Sequence, residues 1–183
     1  RPQDQVWFPG STVIPGIGQG YMLATPLQLA HATTILANRG RGFVPTLLAG
    51  VENPVTGQLE QPVPQPLPAL ALDPAQVEEA VDSMVAVVHG ERGTARAIGL
   101  DSPWTIAGKT GTAQVVGIAQ GEEYDEEATE ERHRPHALFI AFAPAESPRI
   151  AIAVLVENGA SGSAAAAPVA RALIENWLAR EAD

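Results

Sequence analysis

The sequence predicts an α/β (α+β) fold in which helices flank an antiparallel sheet. Three observations support this class. Two helix-start signatures lie in the first half, two apolar strand segments lie in the second half, and an amphipathic helix follows them. With 183 residues, the chain fits one domain or a large part of one.

The first helix is predicted to begin after Thr25, because Pro26 follows it and Gln28 stands three residues on. This pattern is typical of a capping box with proline at the first helical position. Gly40 predicts the end of the helix near Arg39, and the proline- and glycine-rich stretch before the helix predicts an ordered loop. The buried stripe is expected to contain Leu27, Ala30, Thr34 and Ala37.

The second helix has the same kind of start, with Asp73 as N-cap and Pro74 as its first residue, and Gly90 predicts its end. Between the two helices, Phe43–Val51 is a candidate strand, and residues 52–69 are expected to form an exposed connection. The buried stripe of the second helix is expected to contain Val77, Ala80, Val81, Met84 and Val88.

Strand patterns dominate the second half. Trp104–Val116 is a strand candidate. Ala137–Ala143 and Ile150–Glu157 predict a hairpin whose strands are apolar, and therefore buried, on both faces. In the second of these strands, Ala151 and Ala153 make one face small enough for a helix to approach closely.

A final helix is predicted over about residues 166–180. It carries Val169, Leu173 and Trp177 at a spacing of four residues, and we expect this stripe to cover the alanine face of the sheet.

Composition narrows the possible functions. The net charge of -10 argues against binding to nucleic acid or to anionic lipid by charge. No apolar run is long enough to span a bilayer, and no signal-peptide pattern opens the chain. Cysteine is absent, which excludes disulfides and thiolate chemistry. Because the chain starts at Arg1 in a loop-like stretch, we expect it to be a fragment or a processed product.

The single lysine, Lys109, stands in the segment Gly108–Gln114 with the sequence GKTGTAQ. Gly-Lys-Thr suggests a phosphate-binding P-loop, but that motif needs a glycine at position 103, where Pro103 stands, and a helix after the threonine. The residues that follow favour a strand instead. In a strand, Thr110 and Thr112 share one face with hydroxyls about 7 Å apart, which suits them to hold a carboxylate.

Gly111 removes the side chain between the two threonines, so a ligand backbone could lie along the strand edge. A backbone N–H at such an edge could also point at a developing oxyanion. The simpler alternative is an ordinary edge strand that carries an exposed lysine.

Four segments together resemble class B penicillin-binding proteins: Gly16–Leu29 (GIGQGYMLATPLQL), Lys109–Gln114 (KTGTAQ), Phe142–Pro144 and Val156–Gly159 (VENG). The resemblance runs in order from about Ile17 to Leu178. The Gly-Gln-Gly-Tyr loop and the Glu-Asn-Gly ending are most similar to the elongation-type members, and the division-type members come second.

This resemblance implies the penicillin-binding/serine β-lactamase-like fold and a D,D-transpeptidase activity that cross-links peptidoglycan through a serine acyl-enzyme. It implies a catalytic role for Lys109, which would set the electrostatics around the nucleophile. Thr110, Gly111 and Thr112 would bind the carboxylate end of a stem peptide or a β-lactam, and the Thr112 N–H would complete the oxyanion hole. No cofactor and no metal is implied.

One departure from the family is serious. None of the six serines has a lysine three residues later; they are Ser11, Ser83, Ser102, Ser147, Ser161 and Ser163. The resemblance therefore implies that residues 1–183 are the C-terminal portion of a transpeptidase domain, inactive alone, with the nucleophile in an upstream part. It also implies the periplasmic face of the bacterial inner membrane and, as partners, a SEDS-family glycan polymerase and cell-elongation proteins.

Two alternatives stay open: a non-catalytic penicillin-binding-like binding module, and a β-lactam sensor or serine β-lactamase relative. The histidines, His31, His89, His133 and His136, favour structural or solvated roles over metal binding. The acidic run Glu122–Glu131, which includes Tyr124, is expected to be a solvated loop beside the cleft.

Overall fold

The computed structural model describes residues 12–16, 22–115 and 129–181. No helix within these ranges is long and apolar enough to span a bilayer. The elements in chain order are helix α1 (Val13–Gly16), helix α2 (Pro26–Ala37), strands β1 (Val51–Glu52) and β2 (Leu59–Glu60), helix α3 (Pro74–His89), strands β3 (Ala107–Ala113), β4 (His136–Ala143) and β5 (Ile150–Val156), and helix α4 (Ala167–Glu181).

Both predicted helix starts are confirmed at the level of individual hydrogen bonds. The Thr25 hydroxyl accepts from the Gln28 N–H at 3.2 Å, and the Thr25 N–H donates to Gln28 Oε1 at 2.8 Å, so the capping box is complete. In α3 the Asp73 carboxylate accepts from the Ala75 N–H at 2.8 Å. Helix α2 ends at Ala37, two residues before the expected position.

Strands β3, β4 and β5 form an antiparallel sheet in that order, with β4 in the centre. The predicted hairpin is confirmed to within one residue at each end, and β3 is shorter than the predicted strand Trp104–Val116. Phe139 and Phe142 project from opposite faces of β4, and both are fully buried. The central strand is therefore covered on both sides, as its continuous apolar sequence indicates.

Helices α2 and α3 cover one face of the sheet, and α4 covers the other. The first layer packs Val81 and Met84 of α3 and Ala37 of α2 against Phe142, with Ala151 of β5 at its margin. The α3 stripe is confirmed except for Ala80, which is exposed. In α2 the stripe is wrong at Leu27, which is exposed, whereas Thr33 and Ala37 are buried.

The prediction for the final helix is wrong in two respects. Helix α4 packs on the face of β5 that is formed by isoleucine and valine side chains, Ile150, Ile152, Val154 and Val156. Helix α2 lies on the opposite face, which carries the alanines. The buried residues of the helix are Ala167, Ala170, Ile174 and Leu178, and the last three each lie one position after the expected stripe. The expected residues are about half exposed: Val169 44%, Leu173 51% and Trp177 50%.

The segment between α2 and α3, residues 41–72, is called the arm here. The candidate strand Phe43–Val51 is wrong: Phe43 makes an isolated bridge to Pro66, and only Val51–Glu52 pairs, with Leu59–Glu60. The loop predicted before α2 contains the single helical turn α1. Most of the other residues of this predicted loop lie outside the described residues.

Candidate active site

Lys109 is the third residue of β3, not part of a helix or a P-loop, so the P-loop alternative is excluded. Its side chain is exposed, and Nζ donates to the carbonyl of Thr110 at 2.7 Å. The ammonium therefore lies close to the backbone of the strand that carries it. This position keeps a positive charge beside the Thr110 carbonyl.

Thr110 and Thr112 lie on the same face of β3, opposite Phe139 and Ala137 of β4. Thr112 is exposed and Thr110 is half-buried. Gln114, which continues the same alternation, lies just beyond the end of the strand. The two threonines therefore lie on one face of the strand.

Glycines allow the backbone of β3 to be closely packed. A Cβ added to Gly108 would lie 2.4 Å from the ring of Phe139, so a side chain there would displace the aromatic ring. A Cβ added to Gly162, in the π-helical turn Gly162–Ala166 before α4, would lie 2.7 Å from the Gly111 carbonyl oxygen. The turn and the strand therefore touch directly at Gly111, and this close approach depends on the absence of a side chain at Gly162.

Strand β3 is at the edge of the sheet. β4 pairs with it along its whole length, from Ala107–Phe142 to Ala113–His136, and within the described part of the chain no strand pairs with its other edge. An edge strand presents unpaired N–H and C=O groups to a ligand. The segment Lys109–Thr112 therefore combines a cation, two hydroxyls on one face and an open backbone edge.

Sequence reasoning did not identify Thr94, which the fold places beside Thr110. The two Oγ1 atoms are 3.2 Å apart. Thr94 lies in the turn after α3, sixteen residues before its partner, and it has no motif around it that the sequence analysis used. Only the packing of α3 against the sheet brings the two side chains together.

Three of the four histidines, His31, His89 and His136, lie within hydrogen-bond distance of backbone groups. His89 Nε2 accepts from the Ile106 N–H and His136 Nδ1 accepts from the Asn158 N–H, each at 3.0 Å, while His31 Nε2 lies 2.9 Å from the Phe43 carbonyl oxygen. No group of three or more potential metal ligands occurs in the ranges that the structure covers. Most of the acidic run, including Tyr124, lies outside the described residues.

The helix-flanked antiparallel sheet matches solved structures of penicillin-binding transpeptidase domains. The family model of the penicillin binding protein transpeptidase domain matches residues 2–175. The chain belongs to this family.

Similarity to individual proteins points to the PBP2/MrdA-like branch. The chain is 39% identical over 175 residues to the peptidoglycan D,D-transpeptidase MrdA of Haemophilus influenzae, matching 94% of this chain and 26% of that protein. It also resembles the crystal structure of Pseudomonas aeruginosa PBP2 in complex with WCK 5153, with a TM-score of 0.76 and 47% identity over 97% of this chain and 36% of that one.

Two further solved structures have a TM-score of 0.70. One is the ceftriaxone acyl-enzyme complex of penicillin-binding protein A from Mycobacterium tuberculosis, 34% identical over 90% of this chain and 35% of that one. The other is PBP2 in complex with MreC from Helicobacter pylori, 31% identical over 97% of this chain and 29% of that one. The chain thus spans about a quarter to a third of the length of the proteins it matches.

Proposed function

We propose that this chain supplies the carboxylate-binding and oxyanion-binding edge of a serine D,D-transpeptidase that cross-links peptidoglycan stem peptides and is acylated by β-lactams. The observation that carries the proposal is the geometry of β3. It is an edge strand on which Thr110 and Thr112 share a face next to the only lysine of the chain. The membership in the transpeptidase family agrees with this role.

The ligand group that such an edge suits is a carboxylate. A carboxylate only accepts hydrogen bonds, and threonine hydroxyls and a lysine ammonium donate them. The formal net charge of the whole chain is -10, which repels an anionic ligand at long range, so a local cation is needed. Lys109 is that cation, and its exposure leaves it accessible to a ligand.

The direction of the backbone groups supports an oxyanion role for Thr112. In an antiparallel strand the N–H and C=O of one residue point to the same side, and residues two apart point alike. The Thr110 carbonyl accepts a hydrogen bond from Lys109 Nζ, and this bond indicates that the carbonyl points to the open side of β3, away from β4. The Thr112 N–H is then expected to point to that open side, where it can donate to a developing oxyanion.

We infer that the nucleophile comes from another part of the protein, because no serine in this chain is followed by lysine at the third position. We propose that the full-length protein provides it upstream, so that residues 1–183 form the C-terminal portion of the domain. The Mycobacterium tuberculosis relative that forms a ceftriaxone acyl-enzyme is similar to this chain over only 35% of its own length. This coverage is compatible with a nucleophile outside the matched region.

The cellular setting belongs to the same proposal. We propose action at the periplasmic face of the bacterial inner membrane, with a SEDS-family glycan polymerase and cell-elongation proteins as partners. The similarity to a PBP2 solved together with MreC supports an elongation role over a division role.

Labelling with a fluorescent penicillin tests whether the nucleophile lies in the upstream part and not in this chain. We expect no covalent label on residues 1–183 alone and a stable label on the full-length protein. Heat-denatured full-length protein is the control for nonspecific labelling. A stable adduct on the isolated chain would show that the nucleophile is misplaced here. Rapid hydrolytic release of the label would instead favour a β-lactamase relative.

A further inference from the structure

The turn after α3 brings a third hydroxyl to the carboxylate-binding face of β3. Thr94 Oγ1 lies 3.2 Å from Thr110 Oγ1, and either atom can be the donor in this hydrogen bond. Thr94 is exposed, and Thr110 is half-buried. The pair therefore lies at the surface, where a ligand can reach it.

The backbone on either side fixes the position of Thr94. A Cβ on Gly93 would lie 2.3 Å from the Val87 carbonyl oxygen, so the turn packs against the end of α3 at a distance that only glycine permits. On the other side, Ala95 is buried in the core, and its N–H donates to the same Val87 carbonyl at 3.0 Å. These two neighbours fix the backbone of Thr94 and the direction in which its Cβ points.

The chemistry of hydroxyl groups decides which of the two threonines must donate. Each hydroxyl has one proton to donate and two lone pairs to accept with. A bound carboxylate only accepts, so the Thr110 proton has to point at the ligand. Thr110 can then take part in its bond to Thr94 only as the acceptor, which makes Thr94 the donor.

We propose that Thr94 is a positioning residue for carboxylate binding: its hydroxyl donates to Thr110 and thereby directs the Thr110 proton towards the ligand. The inference rests on the proposed function, because it needs Thr110 to bind the carboxylate. A hydrogen bond received by Thr110 also polarises its O–H group, so the chain Thr94–Thr110–carboxylate is stronger than its separate parts.

The test measures acylation of the full-length protein by a penicillin and by the methyl ester of the same penicillin. Thr94→Val removes the donor and keeps the shape, whereas Thr94→Ser keeps the donor. We expect Thr94→Val to weaken the noncovalent complex with the acid about three- to tenfold, the effect of one hydrogen bond, and to leave the acylation rate constant of the bound acid unchanged. Thr94→Ser is expected to behave as wild type, and the ester is expected not to distinguish the variants.

Thr105→Val, at an exposed threonine just before β3, is the matched control and should change neither ligand's binding. If Thr110→Val weakens binding of the acid but Thr94→Val does not, the positioning role is wrong and the proposed function stands. Equal losses for acid and ester, or no rescue by Thr94→Ser, would mean that Thr94 only maintains the local structure and would also overturn the proposal. If wild-type full-length protein is not acylated, the proposed function fails and this role fails with it.

Discussion

The arm and the three-stranded sheet are both rich in apolar residues, but they bury them very differently. In the sheet, β4 is covered on both faces, and its two phenylalanines are inaccessible to solvent. In the arm, most large apolar residues remain exposed, and Leu47 is fully so. A groove of about 500 Å³ in the arm is lined by Phe43, Val44, Pro45, Thr46, Leu48, Pro62, Val63, Pro64 and Gln65. It contains no charged side chain and does not involve β3.

The difference shows that apolar content alone does not decide burial. The arm contains six prolines, each without an N–H to donate, so its extended segments form only a two-residue ladder, Val51–Glu52 with Leu59–Glu60, and the isolated bridge between Phe43 and Pro66. The sheet strands have no proline and pair over seven residues from β3 to β4. Continuous backbone pairing creates the flat surface that helices can cover, and the arm has no such surface.

The largest effect is expected at the edge of the sheet. Replacing both Thr110 and Thr112 with valine in the full-length protein should slow penicillin acylation by at least about 100-fold, since a hydrogen bond to a charged group contributes about 1.5–3 kcal/mol. Folding should be nearly unchanged, because valine keeps the shape of threonine. Stopped-flow acylation kinetics measure the first effect, and circular dichroism checks the second.

Two threonines of the arm provide the matched controls for this prediction. Thr46 and Thr56 also use their hydroxyls locally, as acceptors from the Leu48 and Gln58 N–H groups. Thr46→Val and Thr56→Val should leave acylation unchanged. Unchanged acylation in the Thr110/Thr112 variant would remove the carboxylate-binding role, and an equal loss in the arm variants would remove the contrast between the two regions.

The second prediction concerns stability. Ile174→Ala in α4 removes a fully buried side chain from the core under the sheet and should lower the free energy of unfolding by about 2–5 kcal/mol. Leu47→Ala in the arm, where Leu47 is fully exposed, should change it by less than about 0.5 kcal/mol. Urea unfolding of the protein compares the two variants. Similar losses in both would mean that the arm is buried against another surface in solution.

The smallest effect is expected at the base of the arm, where Arg39 pairs with Glu78. The guanidinium donates to both carboxylate oxygens, Nε to Oε1 at 2.9 Å and a terminal nitrogen to Oε2 at 3.1 Å. The hydrogen bond from Arg39 lowers the pKa of Glu78 below its usual value of 4.5. Because the folded-state pKa is lowered, the stability that the ion pair contributes is fully present above the unfolded-state pKa of Glu78 and is lost as the pH falls through the folded-state pKa.

Urea midpoints measured between pH 7 and pH 3 test this ion pair. Glu78→Gln should lower the midpoint slightly at neutral pH and converge with wild type in acid, because the pair is solvent-exposed and screened. The exposed neighbour Glu79→Gln is the control and should show no such convergence. If the difference in urea midpoint between wild type and Glu78→Gln persisted or grew towards pH 3, the stabilising role of the ion pair would be contradicted.

Local chemistry was predictable at helix starts and in the hairpin. Thr25 and Asp73 cap their helices as expected, because capping depends on residues within one turn. The hairpin was predictable because two continuous apolar segments around a short turn have few other arrangements. Which side of α4 faces the sheet was not predictable. Small Ala166, Ala167 and Ala170 let the helix approach the sheet closely, and this packing rotates Leu173 and Trp177 outward.

In the candidate site, the sequence alone determined that Lys109, Thr110, Gly111 and Thr112 belong to one strand, with the two threonines on one face, because side-chain alternation is a local property of the backbone. Tertiary structure alone decided that this strand lies at the edge of the sheet, that Gly162 packs against Gly111, and that Thr94 reaches Thr110. These relations join segments far apart in the chain, and such contacts depend on how whole helices and strands pack, which no local pattern encodes.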